Sequence, residues 1–368
     1  MCSFSNHLTE VYKKRFDDIV RHDNERRGVY YDDERKNWVI YDYHACAELL
    51  NSQYVTKKRM LVPLSLFQTE KTLIERFLAI INQSLIFRDD SKSDVVRIIH
   101  QNFKKLSCDK LIEETLLMSR RNNCIGKNEL IVLNNTLAAR LVGLDPSRSL
   151  AEHAHNVGKL FDGRVQGKEH FVDIAHSFMT VFSACKKMPS CDEHISDYQA
   201  SDRAIAYIAA HQTTMQLIVA ALWAISHFNL KVNTVNVRDI VVEASRLYSP
   251  VLSVGRVIAP DLIFRGQNLK EGDRVMFYTA LANFDEKVFD NPFRFIAGRK
   301  EKPLSFGTGM HMCIGMGIAL SFASSFIGHI NSHYMLRDVS IIEFAEGVSA
   351  PGASDFNIGI DFNELAEN

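Results

Sequence analysis

Cys313 sits in the decapeptide Phe306-Gly307-Thr308-Gly309-Met310-His311-Met312-Cys313-Ile314-Gly315. A thiolate that ligates a metal needs backbone that approaches closely and N–H groups aimed at the sulfur. Glycines permit both, because they lack a Cβ and reach positive φ without strain. The turn therefore suits a thiolate ligand. A buried structural cysteine is the alternative that these residue types leave open.

Two further constellations precede it. Glu243 and Arg246 stand three apart, so on a helix they share a face and can pair. Pro292-Phe293-Arg294-Phe295 follows. Earlier, Ala209-Ala210-His211-Gln212-Thr213-Thr214 places a hydroxyl beside small residues on an apolar stretch. A threonine hydroxyl can pass protons along a chain of waters, which is general-acid catalysis. Gln212 can donate and accept hydrogen bonds, but its amide cannot cycle a proton. Each constellation alone is a common feature of ordinary helices; their order along the chain carries the information.

In that order these residues resemble the cytochrome P-450 superfamily. The cysteine loop fills every fixed position of the family pattern F-x-x-G-x-[H/R]-x-C-x-G. The resemblance implies haem b held by Cys313, with Phe306, Gly307, Gly309 and Gly315 shaping the loop. It implies His311, Arg256 and Arg97 as cationic partners of the haem propionates, and Glu243, Arg246 and Arg294 as a structural lock behind the loop. It places Thr213 and Gln212 on the oxygen side of the haem. There the family pattern A-G-x-[D/E]-T-T has glycine where this chain has Ala210, and an acid where it has Gln212. The substrate pocket is expected among Ala206, Ala209, Ala210, Val251, Leu252, Val254 and Phe356.

The implied activity is a haem-thiolate monooxygenase of bacterial soluble type. It would hydroxylate a small, largely apolar substrate of secondary metabolism. Gln212 keeps a second haem-thiolate chemistry open: desaturation, oxidative coupling, peroxide-driven oxidation or isomerisation. A haem sensor without turnover is the non-enzymatic alternative. The stretch from Gly143 to Ala210, where the family builds the helices that close over substrate, is short. That fits a small pocket, or an open one that admits a carrier-tethered substrate. Neither a G-x-G-x-x-G unit nor an iron–sulfur cysteine run occurs, so electrons would come from an external ferredoxin or flavodoxin with its reductase. Arg299, Lys300 and Lys302, with Lys104 and Lys105, are candidate basic contacts for such a partner.

The elements that must position these residues are legible from periodicity. Val29–Tyr31 and Trp38–Tyr41 flank a polar turn, as in a hairpin. Tyr43–Leu50 reads as a helix with Ala45, Leu49 and Leu50 inward. Residues from Thr69 to Phe228 are mostly helical, with apolar residues at three- and four-residue spacing, and Leu141–Pro146 marks a helix end. Val251–Ile258, Leu262–Phe264 and Arg274–Tyr278 read as strands, and the tail from Tyr334 as a hairpin. The expected fold is mainly α (α+β). It forms a single domain over 1–368, with a helical body at 69–250 and 314–333 and a β-rich subdomain near 28–42, 251–280 and 334–362.

Composition limits the alternatives. The 368 residues are 46% apolar and 24% charged, enough for a core that encloses a cofactor. The net charge of −1 gives no reason to expect nucleic acid or a membrane surface as partner. Seven scattered cysteines fit a reducing compartment, and the polar start of the chain fits a cytoplasmic protein. Cys185, Cys191 and His194 lack the paired spacing of a zinc site.

Overall fold

A computed structural model describes residues 7–23, 28–57, 59–89, 93–119, 123–188, 195–345 and 352–362. In chain order the helices are α1 (His7–Val20), α2 (Tyr43–Leu50), α3 (Lys71–Ile81), α4 (Val95–Lys105), α5 (Cys108–Ser119), α6 (Lys127–Val142), α7 (Arg148–Phe161), α8 (Gly167–Lys186), α9 (Asp197–His227), α10 (Val237–Leu247), α11 (Thr279–Ala282) and α12 (Met316–His333). The strands are β1 (Val29–Asp32), β2 (Asn37–Ile40), β3 (Val55–Thr56), β4 (Cys124–Gly126), β5 (Val254–Ile258), β6 (Leu262–Phe264), β7 (Gln267–Leu269), β8 (Arg274–Phe277), β9 (Tyr334–Ala345) and β10 (Gly352–Phe362). The chain divides into two compact units: residues 1–56, 119–127 and 216–368, and residues 57–118 and 128–215. The expected α+β class, with helices dominant, is what the chain adopts.

The first unit holds all three sheets. A five-stranded sheet runs β1-β2-β8-β5-β3, a three-stranded sheet runs β4-β10-β9, and β6 pairs with β7. The hairpin read from the sequence is present, with Val29 opposite Ile40 and Asp32 opposite Asn37. α2 starts where Asp42 accepts a hydrogen bond from the Ala45 N–H, satisfying one of the open donors of its first turn. Its Ala45, Cys46 and Leu49 pack with Ile40, Val275, Phe277 and Leu304 in one apolar cluster. Leu304 lies two residues before Phe306, so this cluster anchors the upstream end of the cysteine loop.

The strand expected from Val251 begins only at Val254. Before it, the Ser249 hydroxyl donates to the Val251 carbonyl, and the Leu252 carbonyl accepts from Ala280 N–H. These bonds hold the segment in a turn and remove it from the strand ladder.

The second unit is helical. Phe171, Phe77, Phe178 and Phe182 form a series between α3 and α8, the first two contacts edge-on and the last stacked, with ring centroids 5.4–6.5 Å apart. α7 begins after Pro146, where Ser147 caps the Leu150 N–H. A buried carboxylate, Asp202 on α9, accepts from Arg88 Nη2, Ser93 Oγ and Leu85 N–H, which ties the segment before α4 to α9. Burial pushes the Asp202 pKa upward, against those three donors.

α9 is 31 residues long and belongs to both units. It has the length and apolarity of a membrane span, yet 72% of its most apolar stretch is buried within the protein, as in a core helix.

Candidate active site

The cysteine loop is a sequence of tight turns. Gly307 N–H donates to Leu304 C=O at 2.8 Å, and Gly307 and Gly309 take φ of +67° and +73°. Glycine is required at 309, because a Cβ there would lie 2.6 Å from the Leu50 carbonyl oxygen. Residues 309–311 form one 3-10 turn, and Cys313 N–H closes the loop on Phe306 C=O at 2.8 Å. α12 starts three residues after the cysteine. Met316 N–H donates to the Cys313 carbonyl at 3.3 Å, and the backbone N–H groups of Gly315 and Met316 lie close enough to the sulfur to act on its charge. Burial of the sulfur raises the thiol pKa, and these two donors oppose it by favouring the thiolate. The residue itself is exposed at the surface of its unit. An N–H pair at a helix N-terminus is the environment in which cysteines ligate or react as thiolates.

A buried polar network holds the loop from behind. Arg246 is bidentate on Glu243, with Nε to Oε2 and Nη2 to Oε1 both 2.8 Å. Arg246 Nη1 donates to the Asn283 carbonyl at 2.7 Å. The Asn283 side chain accepts from Leu304 N–H at 2.7 Å and donates to Ser305 Oγ at 2.9 Å. Ser305 Oγ donates in turn to the Ser245 carbonyl, returning to α10. No local motif marks Asn283 in the sequence.

The third member of the lock differs from expectation. Arg294 is exposed and contributes only its backbone carbonyl, which accepts from Arg246 and Arg299. Arg299 supplies the second guanidinium: its Nε lies 3.0 Å from Glu243 Oε1, its side chain 7% exposed. Arg299 is therefore removed from the basic partner-facing group that the sequence suggested. Lys300 and Lys302 of the same segment are exposed, as are Lys104 and Lys105 in the other unit.

Within the first unit, His311 and Arg256 are half-buried, on the 3-10 turn and on β5. Val251 and Val254 are half-buried too. Leu252 and Phe356, expected in the lining of the substrate pocket, are core residues at 2% and 0% exposure. Phe356 lies on the same face of β10 as Ile358 and Ile360, both fully buried, so strand alternation turns it inward.

In the second unit, Ala206, Ala209, Ala210, Gln212 and Thr213 form an open stripe on a helix whose other faces are buried. Thr213 Oγ1 donates to the Ala209 carbonyl at 3.0 Å, which leaves its lone pairs as acceptors. Asn134 on α6 donates to the carbonyls of Ala210 and His211. His211 is buried, and among the described residues its Nδ1 meets no hydrogen-bond partner. Burial, with the charge of His155 adding, drives its pKa down to about 4, so the ring is neutral. Arg97 on α4 is exposed and donates to Gln101 one turn on.

Among the described residues, no three His, Cys, Asp or Glu side chains gather to hold a metal ion. Cys191 and His194 lie outside the described residues. A lone thiolate does not suit zinc, which takes three or four protein ligands. It suits a metal whose other ligands come from a macrocycle, as in haem. The donor set and the cations of this unit fit that group.

Residues 236–340 match the family model Cytochrome P450. Over that segment the chain is similar to the cytochrome P450 superfamily. Cytochrome P450 109 of Bacillus spizizenii is 36% identical over 118 residues, 30% of this chain and 29% of that protein. Cytochrome P450 119 of Sulfurisphaera tokodaii is 37% identical over 115 residues, 30% of this chain and 31% of that protein. The sequence matches thus span about a third of these curated P450 relatives. The fold match is wider. P450BioI, solved in complex with hexadec-9Z-enoic acid ligated acyl carrier protein, superposes with a TM-score of 0.78 at 17% identity, over 96% of this chain and 100% of that one. P450s of this superfamily bind haem b through a cysteine thiolate.

Proposed function

We propose that this protein is a haem-thiolate monooxygenase that hydroxylates a small, largely apolar molecule. The observation that carries the reading is Cys313. It faces two backbone N–H donors at the start of α12, in a loop fastened through Asn283 to the Glu243–Arg246 pair. Haem held there would supply the iron at which dioxygen is reduced, and a thiolate ligand favours O–O cleavage.

The residues of the chain then have distinct tasks. Gly315 and Met316 N–H keep charge on the sulfur. Glu243, Arg246, Arg299 and Asn283 keep the loop from shifting. His311 and Arg256, on the unit that carries the cysteine loop, are cations that could face propionates, because a buried carboxylate needs a charged partner. The small residues of the α9 stripe, Ala206, Ala209 and Ala210, leave room for substrate. Thr213, its proton committed to Ala209, offers lone pairs that orient a donor. Electrons come from a separate ferredoxin or flavodoxin with its reductase, in the cytoplasm of a bacterial cell. The substrate is free or presented on a carrier.

Gln212 favours a second reading with the same haem and a different outcome, such as desaturation or peroxide-driven oxidation. It occupies the acid position with a neutral amide. The purified holoprotein, screened for ligands that shift its haem spectrum, is incubated with each hit and a surrogate ferredoxin system, and in parallel with peroxide. A hydroxylated product with ferredoxin supports the main reading. Product from peroxide alone, or a desaturated product, moves the assignment to the second. Ligand shifts without product from either system refute both.

A further inference from the structure

Gln212 is engaged by a titratable group from outside α9. Its Nε2 lies 2.5 Å from Nδ1 of His155 on α7, fifty-seven positions earlier in the chain. His155 is exposed, so its ring exchanges protons with water, whereas Gln212 is half-buried on the open stripe beside Thr213. Several groups on α7, α8 and α9 stand near His155. From α9 it meets Gln212, and its charge acts on the neighbouring His211. On its own helix Glu152, three residues before it, pairs with Arg148, and Lys159 stands four residues after. From α8, Ser177 and His170 engage His153 and Asn156.

We propose that His155 is a positioning residue for the oxygen side of this protein: its proton sets which end of the Gln212 amide is turned to the α9 stripe. This rests on the monooxygenase reading above. In the neutral ring Nδ1 accepts, and the Gln212 N–H serves it, so the amide oxygen is turned away from His155. In the charged ring Nδ1 carries a proton and can only donate. The amide must then rotate to offer its oxygen to His155, which turns its N–H outward. Below the midpoint of His155 the stripe presents a donor next to the Thr213 lone pairs, and above it an acceptor. A histidine changes state in the physiological range, which a glutamine cannot do. The chain thereby recovers a proton-dependent element where an acid is missing.

The test uses the diamagnetic carbon-monoxide form of the reduced holoprotein. Side-chain NMR follows the His155 imidazole and the Gln212 amide between pH 5 and 8. The Gln212 amide signals are expected to shift with the same midpoint as His155. Gln212→Glu is expected to raise that midpoint by about one pH unit or more, since a carboxylate at this distance favours the charged ring. His155→Gln is expected to remove the amide transition while leaving the thiolate spectrum intact. It is also expected to flatten the pH profile of the ratio of peroxide released to NAD(P)H consumed. Amide signals that stay fixed through the His155 titration, or a midpoint equal in wild type and Gln212→Glu, overturn the proposal. A protein without the thiolate spectrum overturns the monooxygenase reading instead. The same titration on the haem-free chain then still decides whether His155 steers Gln212.

Discussion

Arg299 reaches Glu243 with its Nε 3.0 Å from Oε1, on the same oxygen that Arg246 Nη2 holds at 2.8 Å. Two guanidinium groups thus share one carboxylate, all three side chains nearly out of solvent. Ile296 N–H adds a third donor to that oxygen. Arg299 also donates to the Asp290, Asn291 and Arg294 carbonyls, and its loss strips these acceptors at about 1–3 kcal/mol for each buried group left unsatisfied. Arg299→Ala is expected to lower the unfolding midpoint by that order and to release haem. Arg294→Ala removes an exposed side chain and is expected to cost under about 0.5 kcal/mol. Urea unfolding of the two variants, with absorbance of retained haem, checks the assignment. Equal losses would return Arg294 to the lock.

Asn283 links that group to the cysteine loop. Its side chain makes three hydrogen bonds, to Leu304 N–H, Ser305 Oγ and the Arg246 carbonyl. Asn283→Ala leaves these groups buried and unpaired, at about 1–3 kcal/mol for each one left unsatisfied. The variant is expected to fold with a displaced loop and weaker haem retention. Asn283→Asp, which keeps the acceptor for Leu304, is expected to lose less. Dialysis-resistant haem content measures both.

Gln216, one turn past Thr213 on α9, grips the backbone of β10. Its Oε1 accepts from Ala353 N–H and its Nε2 donates to Ala353 C=O, both at 2.9 Å. The side chain passes so close that a Cβ on Gly352 would stand 2.5 Å from its amide. Gly352→Ala and Gln216→Ala are each expected to destabilise the β9–β10 hairpin by about 1–2 kcal/mol. The double substitution is expected to cost less than the sum, because the alanine at 352 then meets no amide. Hydrogen exchange of the β10 amides reads this out; strict additivity would contradict the close approach.

His211 gives stability a pH window. Its folded pKa is lowered to about 4, against roughly 6.5 in an unfolded chain. The neutral ring is therefore favoured by the fold. Its contribution is complete above the unfolded value and is lost as pH falls from about 6.5 toward 4, amounting to about 3 kcal/mol. Urea midpoints at pH 7 and pH 4.5 are expected to differ less in His211→Phe than in wild type, once the common loss is subtracted. An identical drop in both would mean that the ring is solvated.

The cysteine loop was legible because its information is local: turn, glycine and thiol lie within ten residues. The hairpin at β1–β2 and helix α2 were legible for the same reason. Arg294 and Arg299 were not separable, since both lie in one short segment. Which of them turns inward depends on turns at Asn291 and Gly298, which take φ of +49° and +80°. Apolar type alone did not distinguish Leu252 and Phe356, which are core, from Val251 and Val254, which are partly open. Asn283 and the Gln212–His155 contact depend on residues distant in sequence, which no spacing encodes.

The central claim is the thiolate, and the carbon-monoxide difference spectrum of the reduced holoprotein tests it most directly. The expected result is the red-shifted Soret band of a cysteine-thiolate haem, lost in Cys313→Ala. A band typical of histidine ligation, unchanged by Cys313→Ala, would contradict it.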